Sequence, residues 1–184
     1  GGVAYIDDFE GTTSNQDLSN QVNLWHFSSI PLGTKFREAD PGLSNTVASS
    51  LNRAKMAWYR TDRSVNGNRN SDNYSAVVPI VELFPSRTIQ PGINNELYTF
   101  SMHFDPNERG PYNFDVPDGT TFSSGLNPQN GKLKNPRSRW AGIQRGLYNT
   151  DFEASNIETV EFFMLNPFDK KADGSPITTG GNMY

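Results

Sequence analysis

The sequence predicts an all-β protein, a sandwich of two sheets, and three observations support that prediction. The chain of 184 residues contains 16 glycines and 12 prolines, spread along its length, which divide it into short segments. Such punctuation is typical of strands joined by turns. Several of these segments alternate apolar and polar residues, which indicates strands with one buried face. Aromatic residues make up 12% of a chain that is only 34% hydrophobic, so we expect a core of Phe, Tyr and Trp.

Length and composition limit the organisation of the chain and the classes of partner. By length it is one domain, residues 1–184, large enough to bury a core. The net charge of −4 provides no basic surface for nucleic acid and no polybasic patch for a membrane. There is no cysteine, and no apolar run reaches the ~18–20 residues of a membrane helix. The abrupt beginning at Gly1-Gly2-Val3 suggests a segment excised from a longer protein.

The first part of the chain contains three predicted strands. Val3–Phe9 is expected to be a strand that ends in an acidic turn, and Val22–Ser28 alternates in the manner of a half-buried strand. Pro31–Leu51 has no sustained period and is expected to be irregular. Ala54–Tyr59 is a short apolar strand, and the polar stretch Thr61–Asn73 that follows is expected to be an exposed loop.

The middle of the chain contains one ambiguous segment and two further strands. Ala76–Phe84 is apolar but contains Pro79, so it is either an edge strand or a short helix that begins after the proline. Leu97–Phe104 has the clearest alternation of the whole chain and is predicted to be a strand. Turn-forming residues fill Asp105–Gly119, and alternation resumes in Arg139–Leu147.

The stretch from Tyr148 to Phe168 has two halves with different chemistry. Asn149–Asn156 is rich in side chains that bond to nearby backbone, and it predicts an ordered turn anchored by Phe152. Ile157–Leu165 has apolar residues on both faces, which indicates a central strand covered on both sides. A buried helix has a similar run, but the β-branched and aromatic content favours a strand.

The faces of these strands define the expected core. Its members are the larger apolar side chains on the buried face of each alternating segment. They are Trp25, Phe27, Met56, Trp58, Tyr98, Phe100, Met102, Phe104, Val160, Phe162 and Met164.

The titratable side chains point to no catalytic site. His26 and His103 each lie on the face opposite the aromatic residues, which favours a polar surface role. There is no G-x-S-x-G motif and no phosphate-binding glycine loop. A carboxylate pair for glycoside hydrolysis is weakly suggested, because nothing sets the spacing of the candidates Asp151, Glu153, Glu158 and Glu161.

The densest acidic cluster consists of Asp7, Asp8 and Glu10. It is either a structural Ca²⁺ site at the end of a strand or a solvated turn whose side chains cap local amides. The turn is favoured, because no complete ligand loop is visible. The sequence therefore predicts no metal-binding, cofactor-binding or catalytic residues.

Aromatic and basic side chains suggest two kinds of binding surface. A sugar-stacking platform has the candidates Trp25, Trp58, Trp140, Tyr59 and Tyr148, although the three tryptophans lie within alternating strands and are better explained as core. The arginines near Trp140 suggest a basic strand edge that pairs with a carboxylate or holds a neighbouring domain; they are Arg137, Arg139 and Arg145.

Five segments together resemble one protein family. They are VAYIDDFEG from Val3, AKMAWY from Ala54, ERGPYNFD from Glu108, WAGIQR from Trp140 and YNTDFEASNIETVEFFMLNPF from Tyr148. They are similar to an internal region of the SprA family, gliding-motility cell-surface proteins that serve as outer-membrane translocons of type IX secretion. The resemblance extends from Val3 to Tyr184. The IDDFEG opening also resembles the first strand of jelly-roll sandwiches of the galactose-binding, carbohydrate-module type.

The resemblance implies a role without catalysis. The family's full-length members are very large β-barrels, so a chain of this size is expected to be a soluble domain inserted between barrel strands. Its expected place is the cell envelope, at the outer membrane or cell surface, with the periplasmic face as the other option. Its expected partners are the rest of the barrel, associated subunits and secreted cargo. The alternative is a carbohydrate-binding module that acts alone.

Overall fold

The computed structural model describes residues 16–44, 46–62, 64, 77–153, 157, 159–166 and 174–175. Its strands are β1 (His26–Phe27), β2 (Ala54–Tyr59), β3 (Val78–Pro79), β4 (Glu96–Leu97), β5 (Ser101–Arg109) and β6 (Ile143–Gln144). Its helices are α1 (Pro41–Ser44) and α2 (Ile80–Leu83), with 3₁₀ turns at Val22–Leu24, Arg37–Ala39, Val47–Ser50 and Pro136–Ser138. The predicted strand Val3–Phe9 and most of the predicted loop Thr61–Asn73 lie outside the described residues.

The described strands form three antiparallel ribbons of two strands each. The ribbons pair β1 with β6, β2 with β5, and β3 with β4. The protein is therefore β-rich, as expected, with short helices and 3₁₀ turns between the strands. Among the residues that the structure describes, no helix has the length and apolar character needed to cross a membrane.

The longest ribbon, β2–β5, contains an irregular register that shapes its surroundings. Lys55 lies opposite Asp105, whereas Ala54 lies opposite Arg109, so β5 has extra residues between the two pairs. This bulge contains Pro106, which has no N–H for a ladder, and the Asn107 N–H donates to Asp105 Oδ1 (2.9 Å). Directly after β5, the Gly110 N–H donates to the Arg53 carbonyl (3.1 Å), so the chain stays beside the start of β2.

Strand bounds agree with the sequence prediction at β2 and differ elsewhere. Ala54–Tyr59 is a strand as predicted, whereas the strand expected at Leu97–Phe104 begins only at Ser101 and continues to Arg109. The turn signals of Asp105–Gly119 were misleading over their first five residues, because the bulge accommodates Pro106 and Asn107 within β5.

The strands predicted at Val22–Ser28 and Arg139–Leu147 are shorter than expected. The ambiguous segment Ala76–Phe84 contains both of the expected alternatives, a strand and a short helix. Val22–Ser28 begins with a 3₁₀ turn and only His26–Phe27 is strand, while Arg139–Leu147 contributes only Ile143–Gln144. Around Pro79 the structure has an edge strand that passes directly into α2, so proline ends the strand and precedes the helix. Among its described residues, Pro31–Leu51 contains no long element, as predicted, but its short pieces are helical: α1 and the 3₁₀ turns Arg37–Ala39 and Val47–Ser50.

The buried apolar residues are small and aliphatic, which corrects the expected aromatic core. They are Ala39, Leu51, Ala54, Val77, Leu126 and Leu133. Of the predicted core, five side chains are half-buried: Trp25, Met56, Trp58, Tyr98 and Phe100. The other six are exposed: Phe27, Met102, Phe104, Val160, Phe162 and Met164. In a two-stranded ribbon each strand has only one neighbouring strand, and a face is buried only where another layer packs on it. Alternation alone therefore does not ensure burial.

The predicted central strand Ile157–Leu165 is the largest error. Residue 157 and residues 159–166 have no regular secondary structure, and Phe162 is 67% exposed. Phe163 makes one ring contact, edge-on to Phe84 at 5.6 Å between centroids. A strand that is apolar on both faces needs a layer on each side, and the described ribbons do not supply one.

Of the turn predicted at Asn149–Asn156, the structure describes residues 149–153, while residues 154–156 lie outside the described residues. The Asp151 N–H donates to Asn149 Oδ1 (3.0 Å) and the Ile157 N–H donates to the Phe152 carbonyl (2.9 Å). These contacts agree with a side-chain-stabilised turn. Phe152 is exposed, however, so it does not anchor the turn in a core.

Candidate functional site

The structure does not bring together those of the predicted histidines and carboxylates that it describes. His26 lies on β1 and His103 on β5, in different ribbons, and both are exposed. Asp151, Glu153 and Glu161 are also exposed. Asp7, Asp8, Glu10 and Glu158 lie outside the described residues. In the described part of the chain, no group of three or more metal-ligating side chains is found.

The three tryptophans are structural in their contacts. The Trp25 indole N–H donates to the Ser19 carbonyl (3.1 Å) and that of Trp58 donates to the Val22 carbonyl (3.1 Å). The Trp58 ring packs edge-on to Phe27, with 4.7 Å between centroids. Trp140 lies under the Arg53 guanidinium, 4.8 Å from its ring centroid. None of the three presents a free platform, whereas Tyr148 is 88% exposed.

A buried ion pair between Asp115 and Arg139 lies at the centre of the described structure. Arg139 Nη1 donates to Asp115 Oδ2 at 3.2 Å, and both side chains are completely buried. Asp115 also accepts hydrogen bonds from the Val116 N–H (3.0 Å) and from the Ser123 hydroxyl. A buried charge is tolerated only with such complete pairing. The basic residues near Trp140 thus include one that pairs with a carboxylate, but inside the protein and not at an exposed edge.

Arg139 also joins several loops through backbone carbonyls. It donates to the carbonyls of Leu51 (3.0 Å), Gly125 (3.1 Å) and Lys134 (2.7 Å). Asn52 adds a side-chain acceptor for Arg139 (3.2 Å) and donates to the Phe122 carbonyl (2.7 Å). One guanidinium therefore holds the start of β2 against two long loops.

A second buried arginine, Arg53, lies beside this cluster. Its guanidinium donates to the carbonyls of Ser28 (3.0 Å) and Pro111 (3.4 Å). Burial lowers the pKa of Arg53 from its ordinary value, and the nearby Tyr112 acts in the opposite direction. No carboxylate lies within ion-pair distance of Arg53 in the part of the chain that the structure describes.

The loop of residues 110–116, which we call the aromatic loop, alternates buried polar and exposed aromatic side chains. Asn113 and Asp115 are buried, and Asn113 Nδ2 donates to the Arg53 carbonyl (2.6 Å). Tyr112 is 71% exposed and Phe114 is 65% exposed. Tyr112 has a left-handed backbone, with φ of 60°. Such a conformation is uncommon for a bulky residue and persists only where its neighbours impose it.

A cleft of about 660 Å³ borders the aromatic loop, and we call it the ribbon cleft. Its apolar lining includes Phe27 and Met56, and its charged lining includes Lys55, Glu108 and Arg109. The other lining residues are Gly131 and the first two residues of the aromatic loop, Gly110 and Pro111.

The rim of the ribbon cleft contains an exposed ion pair. Lys132 Nζ lies 2.7 Å from Glu108 Oε1, and this contact raises the pKa of Lys132 above its ordinary value. On the same strand as Glu108, the Asn107 N–H holds the pKa of Asp105 below its usual range. Glu108 and Lys132 therefore compensate each other at this rim.

A second, polar cleft of about 480 Å³ is lined in part by Ser123, whose hydroxyl donates to Asp115. Hydroxyl and amide groups line it, among them those of Asn52, Thr120 and Ser123. Phe122 is its one aromatic lining residue among those described, and Arg37 covers that ring at 4.9 Å from the centroid.

Sequence reasoning missed the residues that organise this region. Asn52, Asn113 and Asp115 were not singled out, because a buried polar side chain has no periodic signal. One local pattern was available: Tyr-Asn-Phe-Asp at 112–115 alternates aromatic and polar residues within a turn-rich segment. The alternation is present in the structure, but the polar side chains are the buried ones and the aromatic side chains are exposed, which is the reverse of a usual half-buried strand.

A scan against protein-family models finds no model that matches this chain, and a search of curated proteins finds no significant match.

Proposed function

We propose that this chain is a non-enzymatic structural and partner-docking domain of a type IX secretion translocon, of the kind to which the SprA family belongs. Its partners in this proposal are the rest of the translocon barrel, the associated subunits and secreted cargo. Its location is the cell envelope, at the outer membrane or cell surface, with the periplasmic face as the other option.

The observation that supports the proposal is that three of the segments that resemble the SprA family pack against one another in the structure. AKMAWY is β2, ERGPYNFD is the end of β5 with the aromatic loop, and WAGIQR contains β6. These three pack on one another: the Ala54 N–H donates to the Trp140 carbonyl (2.8 Å), and the Gly110 N–H donates to the Arg53 carbonyl (3.1 Å). Their distinctive polar residues make internal hydrogen bonds, as expected of a scaffold that presents surfaces.

The exposed apolar side chains support a docking role. Met102 and Phe104 on β5 and the segment 159–165 leave large apolar side chains in solvent. Apolar patches of this kind usually mark interaction surfaces. We further propose that the chain is one domain whose complete fold is a jelly-roll sandwich, in which another layer covers these side chains within the parent protein.

The test is to delete this domain from the gene of its parent protein and to measure cargo export. We expect the truncated barrel to reach the outer membrane while secretion of cargo falls. Cell fractionation with an antibody against the domain measures its location. Normal export without the domain, or a cytosolic location, would refute the proposal.

Carbohydrate binding is a second candidate, supported by the polar cleft. Its hydroxyl and amide lining suits a sugar, but Arg37 occupies one face of Phe122 and limits stacking. Calorimetric titration with oligosaccharides of glucose, galactose and mannose distinguishes the two functions. Specific binding that is lost in Asn52→Ala but kept in Asn149→Ala would favour this second candidate.

A further inference from the structure

The aromatic loop displays two rings to solvent from a firmly held backbone. Tyr112 and Phe114 are largely exposed, while the residues between and after them, Asn113 and Asp115, are buried. Arg53 Nη1 donates to the Pro111 carbonyl (3.4 Å), and Arg109 Nη2 donates to the Asp115 carbonyl (2.9 Å). The rings are therefore presented by a loop that loses little conformational entropy on binding, which favours affinity.

The polar groups of this loop are already used inside the protein. Asn113 bonds to the Arg53 carbonyl, and Asp115 bonds to Arg139, Ser123 and the Val116 N–H. A sugar site needs polar groups beside its aromatic ring, and here those groups face inward. The exposed surface is mainly apolar, with the Tyr112 hydroxyl as its polar tip. That hydroxyl belongs to a side chain that is 71% exposed, so a partner can reach it. A pocket that accepts this surface needs apolar walls and a hydrogen-bond acceptor for the Tyr112 hydroxyl.

The ribbon cleft has this chemistry. Phe27 and Met56 provide apolar walls, and the Glu108 carboxylate at the rim is an acceptor. The guanidinium of Arg109 and the ammonium of Lys55 are cations of the type that binds aromatic faces. The cleft volume, about 660 Å³, is ample for an aromatic side chain.

The loop and the cleft are adjacent, because Pro111 lines the cleft and precedes Tyr112 in the chain. A two-fold symmetric contact needs this adjacency: a projection and a pocket near the same axis can each be filled by the other copy. We propose that two copies of this chain associate through reciprocal insertion of Tyr112 into the ribbon cleft of the partner, with Phe114 packing at its edge. This inference does not depend on the proposed function.

The first measurement is sedimentation equilibrium of the chain over a range of concentrations. We expect a reversible monomer–dimer equilibrium with a dissociation constant in the micromolar range, since two small reciprocal contacts make a modest interface. Tyr112→Asn removes the ring with a residue that tolerates the left-handed backbone. Because both copies then lack the ring, it should weaken the dimer by at least about thirtyfold, which is the loss expected for one central aromatic anchor.

The matched control is Tyr148→Asn, which removes a tyrosine that is even more exposed but lies elsewhere in the chain. It should leave the dimer unchanged. Circular dichroism checks that each variant keeps the wild-type fold.

A mixing experiment separates a direct contact from a general effect on folding. Glu108→Lys removes the acceptor and adds a cation beside Arg109 and Lys132, so it should weaken the dimer from the cleft side. A mixture of Tyr112→Asn with Glu108→Lys restores one intact loop-and-cleft contact. It should form a mixed dimer more tightly than either variant pairs with itself. A chain that stays monomeric at all concentrations, a dimer unaffected by Tyr112→Asn, or no gain on mixing would each overturn the inference.

Discussion

At the scale of single residues, Asp115 and Arg139 show how the described structure is stabilised. Both are completely buried and paired at 3.2 Å, and Arg139 also reaches three backbone carbonyls. Such a pair adds little beyond a well-packed apolar substitute, because desolvation offsets much of the attraction. Removal of one partner is costly, because the other charge remains buried.

The first prediction follows from that asymmetry. Asp115→Ala should lower the free energy of unfolding by about 3–5 kcal/mol, because it leaves the Arg139 guanidinium without its carboxylate. Urea denaturation measures this change. Asp118→Ala, which removes an exposed carboxylate three residues away, is the control and should shift the midpoint little. Equal effects of the two substitutions would contradict the buried ion pair.

The second prediction concerns acid stability. The pKa of Asp105 is lowered in the folded state, chiefly by the Asn107 N–H. A group with a lowered folded-state pKa stabilises the protein above its unfolded pKa of about 3.9, and this contribution is lost as the pH falls through the folded value. Asp105→Asn keeps an acceptor for Asn107 but does not titrate, so unfolding free energy should fall less steeply below about pH 4.

The measurement is the free energy of unfolding between pH 6 and pH 2 in wild type and variant. Asp105 is partly exposed, so the expected difference is small, and Asp118→Asn serves as the charge-matched control. If the free energy of unfolding falls equally steeply below about pH 4 in wild type and in Asp105→Asn, Asp105 does not contribute to acid stability.

At the scale of elements, the β2–β5 ribbon depends on a close backbone approach at Gly110. A Cβ atom there would lie 2.2 Å from the Ala54 carbonyl oxygen and 2.7 Å from its carbon. Both are backbone atoms, and the adjacent Arg53 carbonyl accepts the Gly110 N–H (3.1 Å), so they cannot swing aside as the end of a flexible side chain could. The end of β5 therefore requires glycine at this position.

The third prediction uses that contact. Gly110→Ala should lower the free energy of unfolding by about 1–3 kcal/mol, because overpacking forces the backbone apart. Gly146→Ala is the matched control, since an added Cβ there meets nothing within 4 Å. Thermal denaturation compares the two, and an unchanged melting temperature for Gly110→Ala would disprove the close approach.

The fourth prediction contrasts two aromatic residues that the sequence placed in one core. Phe162 is mostly exposed, so Phe162→Ala should change the free energy of unfolding by no more than about 0.5 kcal/mol. Trp58 packs against Phe27 and bonds to the Val22 carbonyl, so Trp58→Ala should cost about 3 kcal/mol. Denaturant titration of both variants decides. If Phe162→Ala lowers the free energy of unfolding more than Trp58→Ala does, Phe162 is a core residue after all.

At the scale of the whole molecule, the surface is more informative than the interior. Large apolar side chains face solvent on β5, on the aromatic loop and along residues 159–165. This distribution suits a protein that is completed by contacts with other molecules, in agreement with the proposed docking role and with the proposed dimer.

The fifth prediction belongs to this scale. Asp151 and Glu153 are exposed at the turn before the apolar segment, so replacement of both by alanine should leave the isolated chain folded. In the parent translocon the same change should reduce cargo export, because this corner is expected to serve assembly. Asp17→Ala with Asp118→Ala removes two exposed carboxylates elsewhere and should leave export intact. Wild-type export by the first double variant would exclude the corner from the mechanism.

Local chemistry was sufficient to predict some elements. β2 has the predicted bounds because Met56 and Trp58 share one face of a short apolar run and no turn former interrupts it. The irregular course of Pro31–Leu51 and the break at Pro79 follow from glycine and proline in the same way. The β-rich class follows from composition and punctuation. These features depend on neighbours in the sequence, so the sequence alone determined them.

The tertiary structure decided the remainder. β5 continues through Pro106 because the bulge opposite Ala54 and Lys55 accepts it, and no local signal reports a partner strand. Phe162 and Met164 are exposed because burial depends on what lies against a face, while alternation specifies only that the face exists. Asp115 and Arg139 meet across 24 residues of sequence. A buried charge is stable only beside its partner, and the complete fold determines that proximity.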